Sequence, residues 1–371
     1  MQSVRSHYIS LVSILSIFSF NCGYNEVVTN NGTSHEIECT DILDTNFMKY
    51  FSALSADEYN IIRESNCGYV ITGNNPLLRK IDYSGNEIWS KDYSEVTGSR
   101  WALKKTSDGG FIIGGSQYIF KTDSLGELEW HRKLEYNYPH YVRDIIETTQ
   151  GDFAAVGSVS GDPGSSPHYE KGQSFLVKLN MDGSPVSIKR YGRALCPNDI
   201  LYGLVQADDG GFVVAGNIQH DGCSFEWYDD LYVIKTDYDG NGEWWLRLGG
   251  NYWDDARDII KMPDGGYALA GRKGLSRWDI NLYVLRITSE GTVLWEKNFG
   301  SSTMDWGNNV ILSDNGQVLL IGGRNIPVPG QSHVQKTWAV DVATGQWLWS
   351  VEDSASYGEA NFNCCLENND Q

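Results

Sequence analysis

The residue types best suited to ligand contact are aromatics that stand beside aspartates, and they concentrate in the second half of the chain. Aromatic rings supply contact area and carboxylates fix orientation, a combination that suits carbohydrate, peptide or cationic ligands. The predicted ligand- or partner-binding residues are Trp227, Tyr228, Asp229, Asp230, Trp253, Asp254, Asp255, Trp278, Asp279, Asp305 and Trp306. The alternative is that these aromatics pack loops onto the fold.

One acidic segment has the beginning of a calcium-binding loop. Asp237, Asp239 and Asn241 occupy the first, third and fifth positions of such a loop. The twelfth position, which needs a bidentate Glu, is Leu248. Because sister segments elsewhere in the chain (DYSGNE, DSLGEL) lack this set, a hairpin turn accounts for it, and no metal site is predicted.

No catalytic residues are predicted. The seven histidines are scattered, and the sequence has no His-Glu-x-x-His, Gly-x-Ser-x-Gly or phosphate-loop motif. The formal net charge of −19 and the lack of a Lys/Arg run exclude nucleic acid as a partner. We therefore expect a binding protein rather than an enzyme.

Six copies of one pattern supply the scaffold for these loops. Each copy has Asp-Gly-Gly-aromatic, an apolar run, Lys-x-Asp, a Gly and a Trp, or a variant of this order. The copies lie at 67–89, 107–130, 150–187, 208–244, 263–295 and 314–349. Apolar runs between Gly and Asp turns predict four antiparallel strands per copy, which is a β-propeller blade. The long links then share one face, where the aromatic and acidic residues gather.

The two ends of the chain are expected to close the ring. Residues 25–51 match strands two to four, with Met48 in the Trp position, and residues 358–370 match a first strand. The sequence thus predicts one all-β domain, 22–371, as a single β-propeller of seven four-stranded blades. Its last blade would combine one C-terminal and three N-terminal strands, which removes free sheet edges. Six or eight blades are the alternatives.

The last copy contains AVDVATGQWLW at 339–349, which resembles the tryptophan-docking repeat of quinoprotein-type and related Asp-Gly-Gly-repeat propellers. The resemblance covers nearly all the mature chain and implies that the final-strand tryptophans pack between neighbouring blades. These structural tryptophans are Trp89, Trp130, Trp244, Trp295 and Trp349. The quinoprotein enzymes of the family that this repeat resembles are longer chains with eight blades. They hold pyrroloquinoline quinone (PQQ) and calcium beneath a vicinal disulfide. Cys364 and Cys365 are adjacent here but terminal, so we predict no cofactor, with PQQ or calcium as the alternatives.

The N-terminus has the pattern of an export signal. Arg5 precedes an apolar run from Tyr8 to Phe20 that is too short to span a bilayer and ends near Cys22. This arrangement resembles a bacterial lipoprotein signal, which implies removal of residues 1–21 and lipidation of Cys22. The protein would then be exported and lipid-anchored in the cell envelope, and a periplasmic or secreted protein is the alternative.

Six cysteines remain once Cys22 is set aside, an even number that permits disulfides in an exported chain. The predicted topology places Cys196, in an interblade link, on the same face as Cys223, in the long loop of the adjacent blade. We predict a disulfide between them, and two independent thiols are the alternative.

The expected function is therefore non-catalytic. A monomeric cell-envelope propeller would bind an envelope protein, or a carbohydrate or peptide ligand, through its long-loop face, with contact to the membrane through the lipid alone. One alternative is an enzyme, either a PQQ-dependent dehydrogenase or a carbohydrate-active hydrolase or lyase. The other is an assembly scaffold that resembles the lipoprotein propeller of the outer-membrane β-barrel insertion machinery.

Overall fold

The computed structural model is all-β in every part that it describes. The described residues are 22–23, 41–42, 59–64, 68–72, 77–82, 85–93, 100–134, 140–159, 174–192, 199–219, 229–300, 304–326, 334–353 and 362–363. Among them, no helix is long and apolar enough to cross a bilayer.

Strands β3 to β26 form six antiparallel units of four consecutive strands, which we call blades 1 to 6. Blade 1 contains β3 (Tyr59–Glu64), β4 (Gly68–Thr72), β5 (Leu77–Ile81) and β6 (Glu87–Asp92); blade 2 contains β7 (Arg100–Lys105), β8 (Phe111–Gly115), β9 (Tyr118–Thr122) and β10 (Leu128–Lys133); blade 3 contains β11 (His140–Glu147), β12 (Phe153–Val159), β13 (Ser174–Leu179) and β14 (Pro185–Tyr191).

The second half of the chain forms three more blades of four consecutive strands. Blade 4 contains β15 (Ile200–Gln206), β16 (Phe212–Gln219), β17 (Asp229–Thr236) and β18 (Gly242–Leu248); blade 5 contains β19 (Asp254–Lys261), β20 (Tyr267–Gly274), β21 (Ile280–Ile287) and β22 (Val293–Phe299); blade 6 contains β23 (Met304–Leu312), β24 (Val318–Ile326), β25 (Val334–Asp341) and β26 (Trp347–Asp353). A single parallel pair, Ile280 with Met304, joins blades 5 and 6.

Three two-residue strands lie at the ends of the chain. They are β1 (Cys22–Gly23), β2 (Asp41–Ile42) and β27 (Phe362–Asn363). β1 pairs with β2, whereas β27 runs parallel to β3 and also approaches β23 and β24. Most of the predicted seventh blade therefore lies outside the described residues, while the prediction of an all-β fold of four-stranded units is confirmed.

The core lies between neighbouring blades. Middle strands such as β12 and β16 are buried along their whole length, which explains their continuous apolar sequence, whereas the outer strands β10 and β18 are partly exposed. In one cluster, Ala102 and Ile112 of blade 2 pack with Val142 and Phe153 of blade 3. Blades 2 to 5 thus bury their faces against the blade before and the blade after them.

The Asp-Gly-Gly and Lys-x-Asp motifs are two halves of one contact. Asp108 accepts the Gly110 N–H at 2.9 Å and the Lys121 ammonium at 2.5 Å, and Lys121 also reaches Glu129 at 2.8 Å. A Cβ on Gly110 would lie 2.1 Å from the Thr122 carbonyl oxygen, so the second Gly is required by close approach of the backbone. Blades 4 and 5 repeat this arrangement around Lys235 and Arg286.

The outer-strand tryptophans contact a turn glycine of the following blade. We call this contact the Trp–Gly joint, and its four examples are Trp89 with Gly126, Trp130 with Gly183, Trp244 with Gly291 and Trp295 with Gly345. A Cβ on Gly183 would lie 2.6 Å from Cε3 of Trp130, so the ring needs a residue without a side chain beneath it. Trp349, in the same position of blade 6, is 38% exposed.

Blade 3 lacks the tryptophan, and a residue of blade 4 takes over part of its role. Ser187 pairs with Lys178 where blades 1, 2, 4 and 5 pair Trp with Lys or Arg. Tyr238 of the blade 4 turn stacks on Phe212, lies 3.3 Å beneath the Lys178 ammonium, and donates its hydroxyl to Asp152. The degenerate third copy is therefore completed by its neighbour.

Candidate functional site

The first strands of the six blades lie side by side in chain order. Five of them break register at one residue, which is a β-bulge. Bulges re-aim side chains and are frequent beside functional sites. The bulged residues are Trp101, Arg143, Tyr202, Arg257 and Asn308.

The bulges of blades 3, 4 and 5 bring two arginines to one aromatic ring. The guanidinium carbon of Arg257 lies 4.4 Å from the centroid of the Tyr202 ring, and that of Arg143 lies 5.8 Å from it. The face of an aromatic ring carries partial negative charge, so the Tyr202 ring attracts both guanidiniums. These three residues are not among those predicted from the sequence, although the strings VRDII at 142–146 and ARDII at 256–260 repeat the arginine at the bulge.

Two further arginines extend the group toward blade 6. Arg272 of β20 lies 5.8 Å from the ring centroid of Trp253 and 5.9 Å from that of Trp306. Arg324 of β24 lies 4.4 Å from the Trp306 ring. We call Arg143, Arg257, Arg272 and Arg324 the arginine cluster. It groups four guanidiniums from blades 3, 5 and 6 in a chain whose formal net charge is −19.

A buried carboxylate holds part of the arginine cluster in place. Asp255 is 1% exposed, and its Oδ2 accepts hydrogen bonds from Nε of Arg257 and Nε of Arg272, both at 2.9 Å. Burial would raise the pKa of Asp255, but the two guanidiniums overcome this effect and lower it. Asp255 is thus a carboxylate at neutral pH.

Two other carboxyl groups near this point behave in the opposite way. Burial raises the pKa of Asp229 to about 7, and the charge of Asp255 adds to the effect. Burial also raises the pKa of Asp254 to about 7, against the lowering effect of Lys273. Below pH 7 both groups are therefore mainly protonated, unlike Asp255.

Two buried or partly buried aspartates of the first strands join neighbouring blades. Asp144 accepts the Leu204 N–H at 2.9 Å, and Asp258 accepts the Val310 N–H at 2.8 Å, in each case from the next blade. Burial raises the pKa of Asp258 to about 7, while Lys104 acts in the opposite direction. Lys104 belongs to blade 2 and Asp258 to blade 5, so this interaction joins two blades that are not neighbours in the chain.

The aromatic and acidic residues predicted from the sequence do not form one exposed patch. Trp227 and Tyr228 lie outside the described residues, and Trp278 is 65% exposed. Asp229, Trp253 and Asp279 are half-buried. The remaining predicted residues, Asp230, Asp254, Asp255, Asp305 and Trp306, are buried.

The buried aspartates contact groups of the fold itself. Asp230 accepts a hydrogen bond from Arg247, and Asp305 accepts one from Asn325 at 2.5 Å. These carboxylates stand at strand ends, where short polar side chains cap neighbouring backbone and side-chain donors. Sequence pattern alone does not separate such capping residues from ligand-binding ones.

The weak calcium candidate is a hairpin turn in the structure. Asp237 accepts the Asn241 N–H at 2.7 Å and its side-chain amide at 2.8 Å, and Asp239 lies 3.8 Å from Lys178. Within the described ranges, no three His, Cys, Asp or Glu side chains are grouped as a metal ion would need. The predicted Cys196–Cys223 disulfide and the Cys364–Cys365 pair lie outside the described residues.

The fold is similar to solved propeller structures. A protein of unknown function from Bacteroides caccae matches with a TM-score of 0.51 and 13% identity, over 78% of this chain and 95% of that one. The Dos1 propeller matches with a TM-score of 0.50 and 14% identity, over 81% of this chain and 73% of that one. At these identities the likeness supports the β-propeller fold alone; the quinoprotein subtype stays a prediction.

One protein family matches part of the sequence. Residues 66–203 match the arylsulfotransferase (ASST) family, a segment of less than half the chain that includes Arg143 and Tyr202. No curated protein matches the chain significantly.

The family match corrects the expected function. An arylsulfotransferase is an enzyme that transfers a sulfuryl group, so the prediction of a non-catalytic binding propeller is wrong. The error has a physical origin: the arginines that can bind an anion come from separate strands and meet at the bulges, so no contiguous motif marks them in the sequence.

Proposed function

We propose that the protein is a sulfuryl-transfer enzyme whose arginine cluster binds the sulfate ester. The observation that carries the proposal is the arylsulfotransferase match over residues 66–203, because this segment contributes Arg143 to the arginine cluster and Tyr202 beside it. Arg257, outside the matched segment, lies near the same Tyr202 ring.

The chemistry of the cluster suits this reaction. A sulfate monoester carries one negative charge, and the sulfuryl group moves from one oxygen to another: the donor S–O bond breaks, a new S–O bond forms, and the proton of the acceptor hydroxyl passes to solvent or to the leaving oxygen. Fixed guanidinium donors stabilise charge on the sulfuryl and leaving oxygens.

The test is turnover of 4-nitrophenyl sulfate with phenol as acceptor, followed by the release of 4-nitrophenolate. Arg257→Ala should lower kcat/KM by about 10²–10³-fold, the range for loss of one preorganised charge-stabilising donor. Arg132→Ala is the matched control, because Arg132 also lies over an aromatic ring, that of Trp130, but on an outer strand. No turnover by the wild type, or an equal loss in both variants, would overturn the proposal.

We also propose that the ring closes with a seventh blade and that the protein is held at the cell envelope through lipid on Cys22. The first part is supported by β27, which lies beside β3 and near β23, the place of a seventh first strand. A density map that contains six blades would overturn it. The second part rests on the sequence, and a Cys22→Ser variant that still incorporates labelled palmitate would refute it.

A further inference from the structure

We infer that Asp255 is the positioning residue of the arginine cluster: it fixes Arg257 and Arg272 as a pair that receives the anionic group of the substrate. The inference rests on the proposed function and assigns a role within that same site.

The contacts of Asp255 are concentrated on one oxygen. Its Oδ2 accepts from Nε of Arg257 and from both Nε and Nη2 of Arg272, while no hydrogen bond reaches its buried Oδ1 from the described part of the chain. Arg257 is bound through Nε, the inner nitrogen of the guanidinium. This contact fixes the plane of the guanidinium, a group whose forked donors suit the recognition of anions.

The two arginines remain accessible although their shared carboxylate is not. The side chains of Arg257 and Arg272 are 27% and 19% exposed, whereas that of Asp255 is 1% exposed. Two guanidiniums that share one carboxylate oxygen lie close together, and they would repel each other if that carboxylate were absent. Aromatic rings flank each one, so their rotamers are restricted by packing as well as by charge. An anion that enters therefore meets cations whose positions are already set.

Comparison of the blades separates this role from blade construction. Asp255 pairs with Arg272 two residues before the bulged residue of its strand, Arg257. The equivalent residues are Tyr141 in blade 3, Ile200 in blade 4 and Trp306 in blade 6. The scaffold thus accepts aromatic or aliphatic side chains at this position, and a buried carboxylate there breaks the local pattern. Residues that break a local pattern are expected at functional sites.

The experiment compares Asp255→Asn with wild type in the 4-nitrophenyl sulfate assay, varying donor and phenol acceptor separately. Asn keeps the size of the side chain but removes the charge that holds both arginines. We expect KM for the anionic donor to rise about 10-fold or more while KM for the neutral acceptor changes less than 2-fold, because the affected groups contact the anion. A merely structural role would not produce this split.

Asp264→Asn is the matched control, because Asp264 pairs with Arg286 in the same blade but away from the cluster. It should leave donor KM unchanged. Should Asp255→Asn fail to fold, Arg272→Lys keeps the charge, loses the paired Nε and Nη2 contacts, and should raise donor KM in the same way. Normal donor KM in a folded variant would overturn the role of Asp255 alone, whereas absence of wild-type turnover would overturn the proposed function.

Discussion

The Trp–Gly joint can be tested by adding a single methyl group. Gly183→Ala places a Cβ at φ +78° and 2.6 Å from the Trp130 ring, so it introduces both backbone strain and a steric clash. Gly151, in the same blade, has φ +83°, and the nearest atom to its added Cβ is the sulfur of Met181 at 4.0 Å. The two substitutions therefore share the strain and differ in the clash.

The magnitudes follow from these two terms. A left-handed conformation costs an alanine about 1–2 kcal/mol, so Gly151→Ala should lower the free energy of unfolding by about that amount. Overpacking a close-packed contact costs a further ~1–3 kcal/mol. Gly183→Ala should therefore lower the free energy of unfolding by about 2–5 kcal/mol.

Urea unfolding, followed by tryptophan fluorescence and extrapolated linearly, measures both values. A double variant with Trp130→Leu should recover most of the clash term, since the smaller side chain leaves room for the methyl group. Equal losses for Gly183→Ala and Gly151→Ala would refute the idea that the ring requires glycine beneath it.

Three other outcomes are expected. Lys121→Met should lower the free energy of unfolding by about 1–3 kcal/mol in urea, because two carboxylates lose their charged hydrogen-bond donor. Tyr238→Ala should lower it by about 2–3 kcal/mol and Tyr238→Phe by about 1 kcal/mol, since phenylalanine retains the ring beneath Lys178; equal losses would contradict a role for the ring. Asp258 has a pKa of about 7 in the folded state and about 4 in the unfolded state, so the folded state binds its proton more tightly. Its contribution to the free energy of unfolding is therefore largest at low pH and is lost as the pH rises from about 4 to about 7. Wild type should consequently lose more stability than Asp258→Asn between about pH 5 and pH 8 in urea titrations, and parallel curves would exclude this effect.

The blades were predictable because each copy repeats a local pattern with a local cause. Gly110 must lack a side chain where the backbone of Thr122 approaches, and Asp108 must accept the Lys121 ammonium, so the motif recurs wherever the turn recurs. Strand order then follows from chain order, because every blade is an antiparallel meander.

The candidate site was not predictable in the same way. Arg143, Tyr202 and Arg257 are separated by more than fifty residues at each step and meet because a bulge occurs at the same place in three blades. The aspartates that the sequence predicted as ligand-binding residues could not be separated from structural ones. A buried Asp305 beside Asn325 and a solvent-exposed aspartate in a loop have the same local sequence signature, and only burial distinguishes them.

The Trp–Gly joint has a consequence for how such a chain can change over evolutionary time. The tryptophan and the glycine of each joint belong to neighbouring repeats. A duplicated blade therefore inherits the glycine of one joint and the tryptophan of the next, and neither joint is complete within it. Loss of the tryptophan at Ser187 is accordingly accompanied by Tyr238 in the following repeat. The segment that must vary together therefore runs from the outer strand of one blade to the turn of the next, and comparisons of repeats within this chain should be made across blade boundaries rather than within them.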